Sequence, residues 1–289
     1  MERKRVKVGD HEVMTYSVGA GTEVLLVMHG GPGAPCSYVR DAHTCYAERG
    51  FRVVSWDQLG CGESDQPDDT SLWTVPRYVE EVETVRTSLG LGRVFLLGNS
   101  WGGMLGLEYC IAYPENVVCF VAGNIGFDMA LLQQGFVRVK RALGEETQRM
   151  MALRESEGTI EHPEYQAAAT ILLYRHMCRT EIWPQPVIDS MNNIGHGPWD
   201  TMFGPQMFNC TGSLRNYNRI EDLPNVHTPT LITASEHDYL LPEIVVISRD
   251  YMPNAEYTVF RGCAHMPFWE DPETYHRAVG GFLEKHRQV

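Results

Sequence analysis

Polar and apolar residues alternate over Val6-Lys7-Val8 and again over Val13-Met14-Thr15-Tyr16-Ser17, on either side of Gly9-Asp10. Period-two alternation around a turn dipeptide predicts an N-terminal β-hairpin. Six apolar runs of strand length follow: Val24–Met28, Arg52–Trp56, Val94–Leu97, Val117–Val121, Thr230–Ala234 and Tyr257–Phe260. Runs without alternation suit strands covered on both faces, as in a parallel sheet wrapped by helices. Helical patterns separate them, among them Val75–Leu89 and Gly103–Tyr113, the second stopped by Pro114. Strand and helix in alternation predict an α/β domain built on a mostly parallel central sheet with helices on both faces.

The rhythm breaks between Met129 and Leu223. Helical stretches rich in Met, Gln and Arg succeed one another there, punctuated at His162-Pro163, Trp183-Pro184-Gln185-Pro186 and Gly195-His196-Gly197-Pro198, and no core-type strand appears. The expected organisation is therefore a core of residues 1–128 and 224–289, with an all-helical cap, 129–223, inserted between its two halves over the carboxyl edge of the sheet.

Composition narrows the function classes. The chain has 289 residues, 43% of them hydrophobic, and a formal net charge of −13. Such a charge repels phosphate at long range, so nucleic acid and anionic membrane surfaces are not expected partners. The N-terminus is charged and no apolar stretch of signal or membrane length occurs, which gives a cytoplasmic expectation. Eight cysteines form no CxxC pair, so reduced thiols are expected, with neither a disulfide framework nor a metal site.

The chemistry is concentrated in four segments. Gly98-Asn99-Ser100-Trp101-Gly102 lies between a strand and a helix, the context of a nucleophile elbow. There the serine occupies a tight turn, flanking glycines avoid a Cβ clash, and the Trp101 N–H comes to stand beside Oγ. His29-Gly30-Gly31-Pro32-Gly33 directly follows a strand, and its glycines, Gly30 and Gly31 first, let backbone approach a substrate and offer N–H donors to a developing oxyanion. His29 is too early in the chain to be the base and is expected to organise that loop. Beyond two late strands stand Ser235-Glu236-His237-Asp238 and Cys263-Ala264-His265. A serine hydroxyl needs a neutral imidazole to take its proton, and the imidazole a carboxylate to hold its tautomer. The order Ser100, Asp238, His265 meets that need, with Glu236 and His237 as neighbouring competitors. No metal or organic cofactor is required.

HGGPG at 29–33, Asp57-Gln58-Leu59-Gly60-Cys61-Gly62-Glu63-Ser64 and Gly98–Gly103 together resemble the prolyl aminopeptidase (proline iminopeptidase) family of α/β-hydrolases. The similarity continues at His162–Gln166, Gly204-Pro205-Gln206-Met207-Phe208 and Trp269-Glu270-Asp271, so it spans nearly the whole chain. It implies a capped α/β-hydrolase fold, a triad of Ser100, Asp238 and His265, and oxyanion donors from the Gly31 and Trp101 backbones. Two departures bear on substrate. Where the family holds a substrate α-ammonium with acids, this chain has Met207 in the cap and Tyr239 after the triad aspartate. Burying an ammonium without a counter-charge is costly. Glu236 or an acid elsewhere in the cap is the remaining candidate for that charge. The cap also carries Met150, Met151, Met177, Met191, Met202, Met207, Phe203, Phe208, Trp183 and Trp199, most of them expected in its own core and a minority in the cleft.

The expected activity is hydrolysis of an amide through an acyl-enzyme on Ser100, removing an aminoacyl group from a small or short peptide-like, partly apolar substrate. An esterase or lactonase on the same three residues is the alternative. A non-catalytic ligand-binding protein of the same fold is the third reading.

Overall fold

The computed structural model describes residues 1–287. Eight strands form one sheet in the order β1-β2-β4-β3-β5-β6-β7-β8: β1 (Glu2–Val8), β2 (His11–Val18), β3 (Glu23–Met28), β4 (Phe51–Trp56), β5 (Val94–Asn99), β6 (Val117–Gly123), β7 (Thr230–Ser235) and β8 (Ala255–Phe260). The hairpin read around Gly9-Asp10 is β1 and β2, paired antiparallel with Val8 opposite His11. From β3 to β8 neighbouring strands run parallel. Every residue of β5 and β7 is buried, as continuous apolar runs demand in a sheet covered on both sides. The last run differs. β8 is an edge strand with Glu256 and Val259 exposed, and no strand among the described residues pairs with its outer side.

Eleven helices accompany the sheet among the described residues. In the core they are α1 (Ser37–His43), α2 (Val75–Ser88), α3 (Trp101–Ala112), α9 (Pro242–Tyr251), α10 (Pro267–Glu270) and α11 (Pro272–Lys285). Between β6 and β7 come α4 (Met129–Arg141), α5 (Glu145–Glu157), α6 (Pro163–His176), α7 (Gln185–Asn192) and the short α8 (His196–Pro198), which runs into a π-helical turn at Trp199–Phe203. Asp128 starts α4 by accepting from the Ala130 N–H at 2.8 Å, and Pro163 opens α6 at a position where a missing N–H costs nothing.

A partly buried ion pair holds this helical insertion together. Lys140 Nζ of α4 lies 3.0 Å from Glu155 of α5, whose carboxylate also accepts from the Tyr165 hydroxyl and from Asn209. Arg219, with two nitrogens on Glu108 of α3 at 2.6 and 2.9 Å, ties the end of the insertion to the core. At the other end α7 meets the loop after β3. The Gly195 N–H donates to the Gly33 carbonyl at 2.8 Å, and the Ser190 hydroxyl to the Pro35 carbonyl at 3.0 Å. No helix among the described residues is long and apolar enough to cross a membrane.

Candidate active site

The turn between β5 and α3 sets the geometry. Ser100 has φ +57° and ψ −125°, one of two non-glycine residues with positive φ among those described, the other being Asn124. Such a conformation costs about 1–3 kcal/mol and persists only where its surroundings enforce it. Glycine is obligatory on both sides: a Cβ on Gly98 would stand 2.0 Å from the Gly102 carbonyl oxygen, and one on Gly102 2.4 Å from that of Met28. Gly98→Ala should therefore destabilise the fold by about 3 kcal/mol, the upper end for overpacking. A urea midpoint left unmoved would refute this steric account.

Asp238 lies just beyond β7 and is buried. Its carboxylate accepts four contacts: His265 Nδ1 at 2.9 Å and the Asn124 amide at 2.9 Å on Oδ2, the Leu240 N–H at 3.0 Å and His265 Nδ1 at 3.1 Å on Oδ1. Nδ1 is thereby the protonated nitrogen of the neutral imidazole. Glu270 of α10 grips the histidine loop from below, accepting the Ala264 N–H at 2.7 Å and the Met266 N–H at 3.0 Å, the two amides flanking His265. Burial raises the Glu270 pKa, and those two amides pull it back.

A second chain of bonds joins the serine turn to the loop after β3. The Gly30 N–H donates to the Tyr38 hydroxyl at 2.7 Å, which donates to Asn99 Oδ1 at 2.9 Å, and the Asn99 amide reaches the His265 carbonyl at 3.4 Å. His29 is fully buried, and burial lowers its pKa. It donates from Nδ1 to the Gly30 carbonyl at 2.8 Å and accepts the Gln58 N–H on Nε2 at 3.0 Å. Gln58 in turn accepts from Trp101 Nε1 at 2.9 Å. His29 thus braces the loop, the role read for it in the sequence. The Gly31 and Trp101 N–H groups find no acceptor within the described residues, whereas that of Gly30 is spent on Tyr38.

Above these residues lies a cavity. Ser100, His265, Tyr239, Gly31 and Trp101 line it, and so do Met177, Met191, Trp199, Phe203 and Met207 from the helical insertion. Met202, Phe208 and Met151 are instead buried in the insertion's own packing. Among the described residues no aspartate or glutamate lines the cavity. Glu236 is not brought in: it is exposed and accepts the Gly262 N–H at 2.9 Å, because the first residue past β7 faces the adjoining turn after β8. Glu155, a half-buried acid of the insertion, lies outside the lining and is matched by Lys140.

Sequence reasoning passed over Asn124, Tyr38 and Glu270. Asn124 carries one available signal, a polar residue directly after an apolar strand; Tyr38 bears on the site through Asn99, distant in the chain, whereas Glu270 acts through the nearby Ala264 and Met266 amides. The contact of Tyr239 with His265 was also not foreseen. Its hydroxyl lies 2.8 Å from His265 Nε2, its ring is 4.5 Å from the imidazole, and its pKa is raised well above the usual phenol range, by burial first and by Asp238 second.

Residues 23–272 match the family described as the alpha/beta hydrolase fold. The chain is 32% identical over 266 residues to a proline iminopeptidase of Heyndrickxia coagulans, covering 92% of this chain and 91% of that one. Among solved structures, the proline iminopeptidase of Mycobacterium smegmatis superposes with a TM-score of 0.91 at 33% identity, covering 99% of this chain and 98% of that one. VinJ superposes with a TM-score of 0.95 at 29% identity, covering 99% of each chain.

Proposed function

Because the chain belongs to the alpha/beta hydrolase fold family, in its proline iminopeptidase branch, and is a serine hydrolase, we propose that it cleaves an amide bond of a small, largely apolar substrate through an acyl-enzyme on Ser100. His265 takes the serine proton as Oγ attacks the carbonyl carbon, and Asp238 stabilises the imidazolium. The Gly31 and Trp101 N–H groups receive the oxyanion; donors of this kind are worth about 3–4 kcal/mol each when preorganised. The imidazolium then protonates the leaving nitrogen, and water attacking the ester with His265 as base restores Ser100. Residues 129–223 act as the cap that shapes the acyl pocket and excludes water.

One observation carries the substrate side of this reading: the cavity that holds Ser100 is lined by methionine and aromatic side chains and, among the described residues, by no carboxylate. An α-ammonium bound there would lose its hydration without gaining a counter-charge. The aminoacyl group is therefore selected by its apolar side chain, and proline specificity in the strict sense is not part of the proposal. A panel of proline, alanine and leucine anilides beside simple acyl esters tests it. Turnover of the anilides supports amide hydrolysis, while activity confined to esters would replace it with an esterase or lactonase on the same residues, which the lack of a carboxylate also suits.

The cavity allows a direct check on the missing charge. Met207→Glu puts an acid where the family resemblance expects one, and a charge-assisted hydrogen bond is worth roughly 1.5–3 kcal/mol. The expected gain in kcat/KM on proline anilide is about tenfold, the low end of that range converted at 1.4 kcal/mol per decade. No gain would mean that the loss of charge at 207 does not set specificity.

A further inference from the structure

Asp238 stands in the loop after β7, and the peptide that joins it to His237 is held from two directions. Its N–H, that of Asp238, turns back to the Ser235 carbonyl at 3.3 Å, a long contact for a backbone bond. Its carbonyl, that of His237, takes a shorter bond from outside the core. His176, the last residue of α6, places Nδ1 2.7 Å from that oxygen, across 61 positions of chain. A carbonyl only accepts, so Nδ1 carries the proton. The neighbouring peptide is tied as well: the His237 N–H donates to the Cys263 carbonyl at 2.8 Å, two residues before His265. Met177, next after His176, lines the cavity with Ser100, and so does Tyr239, next after Asp238.

We propose that His176 is a positioning residue for the hydrolysis: from the helical insertion it fixes the His237–Asp238 peptide, and with it the carboxylate that aligns His265. The inference rests on the assignment of Ser100, Asp238 and His265 made above. Rotation of that peptide swings the Asp238 Cβ, and the carboxylate has little room to swing. It meets His265 Nδ1 at 2.9 and 3.1 Å, the Asn124 amide at 2.9 Å and the Leu240 N–H at 3.0 Å, contacts that a small displacement would lengthen together. Removing the His176 donor leaves the peptide with the 3.3 Å contact to Ser235. Misplacing a reacting group by about 1 Å can cost about 100-fold in rate, even when the change is made far from the chemistry. The insertion is then more than a wall of the cavity. The residue that borders the substrate space and the residue that aims the acid are consecutive at the end of α6, so seating of the insertion and alignment of Asp238 go together.

The test measures kcat, KM and Tm on the anilide or ester turned over best, for the wild type, His176→Leu, His176→Asn, Asp238→Asn and the double variant His176→Leu/Asp238→Asn. His176→Leu, which keeps bulk and removes the donor, should lower kcat about tenfold, less than a full 1 Å misplacement costs, with KM little changed. His176→Asn should recover most of that loss, because its amide nitrogen stands as many bonds from Cα as Nδ1 does and donates in the same direction. In the double variant the histidine should no longer matter: its rate should equal that of Asp238→Asn, since one residue acts through the other. Should the leucine unfold the protein, His176→Ala takes its place with the same expectations. A wild-type kcat without the donor, an equal loss in His176→Asn, or a further loss in the double variant would overturn the positioning role. With Asp238→Asn slow, any of these outcomes strikes His176 alone. An Asp238→Asn protein as fast as the wild type would instead overturn the assignment of the acid, and the role of His176 with it.

Discussion

In Ser100→Ala, kcat on a chromogenic anilide or ester should fall about 10⁶-fold, the loss expected when the nucleophile of a serine–histidine–aspartate set is removed. The Tm should stay within a few degrees of the wild type. Oγ faces the cavity, and the constraints that hold the turn come from backbone: Ser100 N–H to the Gly123 carbonyl at 2.9 Å, and Gly103 N–H to the Ser100 carbonyl at 2.8 Å. A residual rate still above that in water is expected, because donors aimed at the oxyanion act without the serine. If Ser100→Ala kept more than a hundredth of the wild-type rate, another group would be making the attack and the proposed mechanism would be wrong.

Asp238→Asn should lower kcat about 10⁴-fold, for a different reason. An amide turned toward His265 presents either an oxygen or an NH2 group, and the oxygen is already in demand. The wild-type carboxylate receives the Leu240 N–H, the Asn124 amide and His265 Nδ1 on its two oxygens. With one oxygen in place of two, a buried donor goes unmatched, or Nδ1 meets an NH2 group and the imidazole proton shifts to Nε2. That tautomer cannot accept a proton from the serine side. The unmatched donor should also cost about 1–3 kcal/mol of stability, read from urea denaturation alongside kcat. The double variant Ser100→Ala/Asp238→Asn should be hardly slower than Ser100→Ala, since the two residues act as a unit. A near-normal rate in Asp238→Asn would sink the assignment of that carboxylate.

Much of the fold was legible because its signals are local. Val94–Leu97 and Thr230–Ala234 read as doubly covered strands, and β5 and β7 are buried throughout. Gly98-x-Ser100-x-Gly102 read as a tight turn, and the contacts that a Cβ would make there give the steric reason. What escaped depends on neighbours that only folding supplies. Tyr257–Phe260 has the composition of an inner strand, yet β8 lies at the edge, because no later strand among the described residues pairs with it. Glu236 and Asp238 are two residues apart, but one accepts a surface amide and the other a buried imidazole. Nothing in the string Asp238-Tyr239 announces that the phenol will lie against His265; Phe136 and Phe208, more than thirty positions upstream, flank it there. Of the insertion's methionines, no periodicity separated Met177, Met191 and Met207, which face the cavity, from Met151 and Met202, which do not.

The seam between α7 and the loop after β3 has a consequence for how the molecule can move. Gly195 and Ser190 hold the carbonyls of Gly33 and Pro35, and Gly195 sits so close to the Gly60 carbonyl that even a methyl group there would be 1.8 Å from it. Gly31 lies two residues before the first of those carbonyls. Any swing of the insertion that broke this seam would drag on the stretch of backbone proposed to receive the oxyanion. Admission of substrate and readiness for chemistry are mechanically linked along that border, so breathing wide enough for entry has to occur elsewhere on the rim.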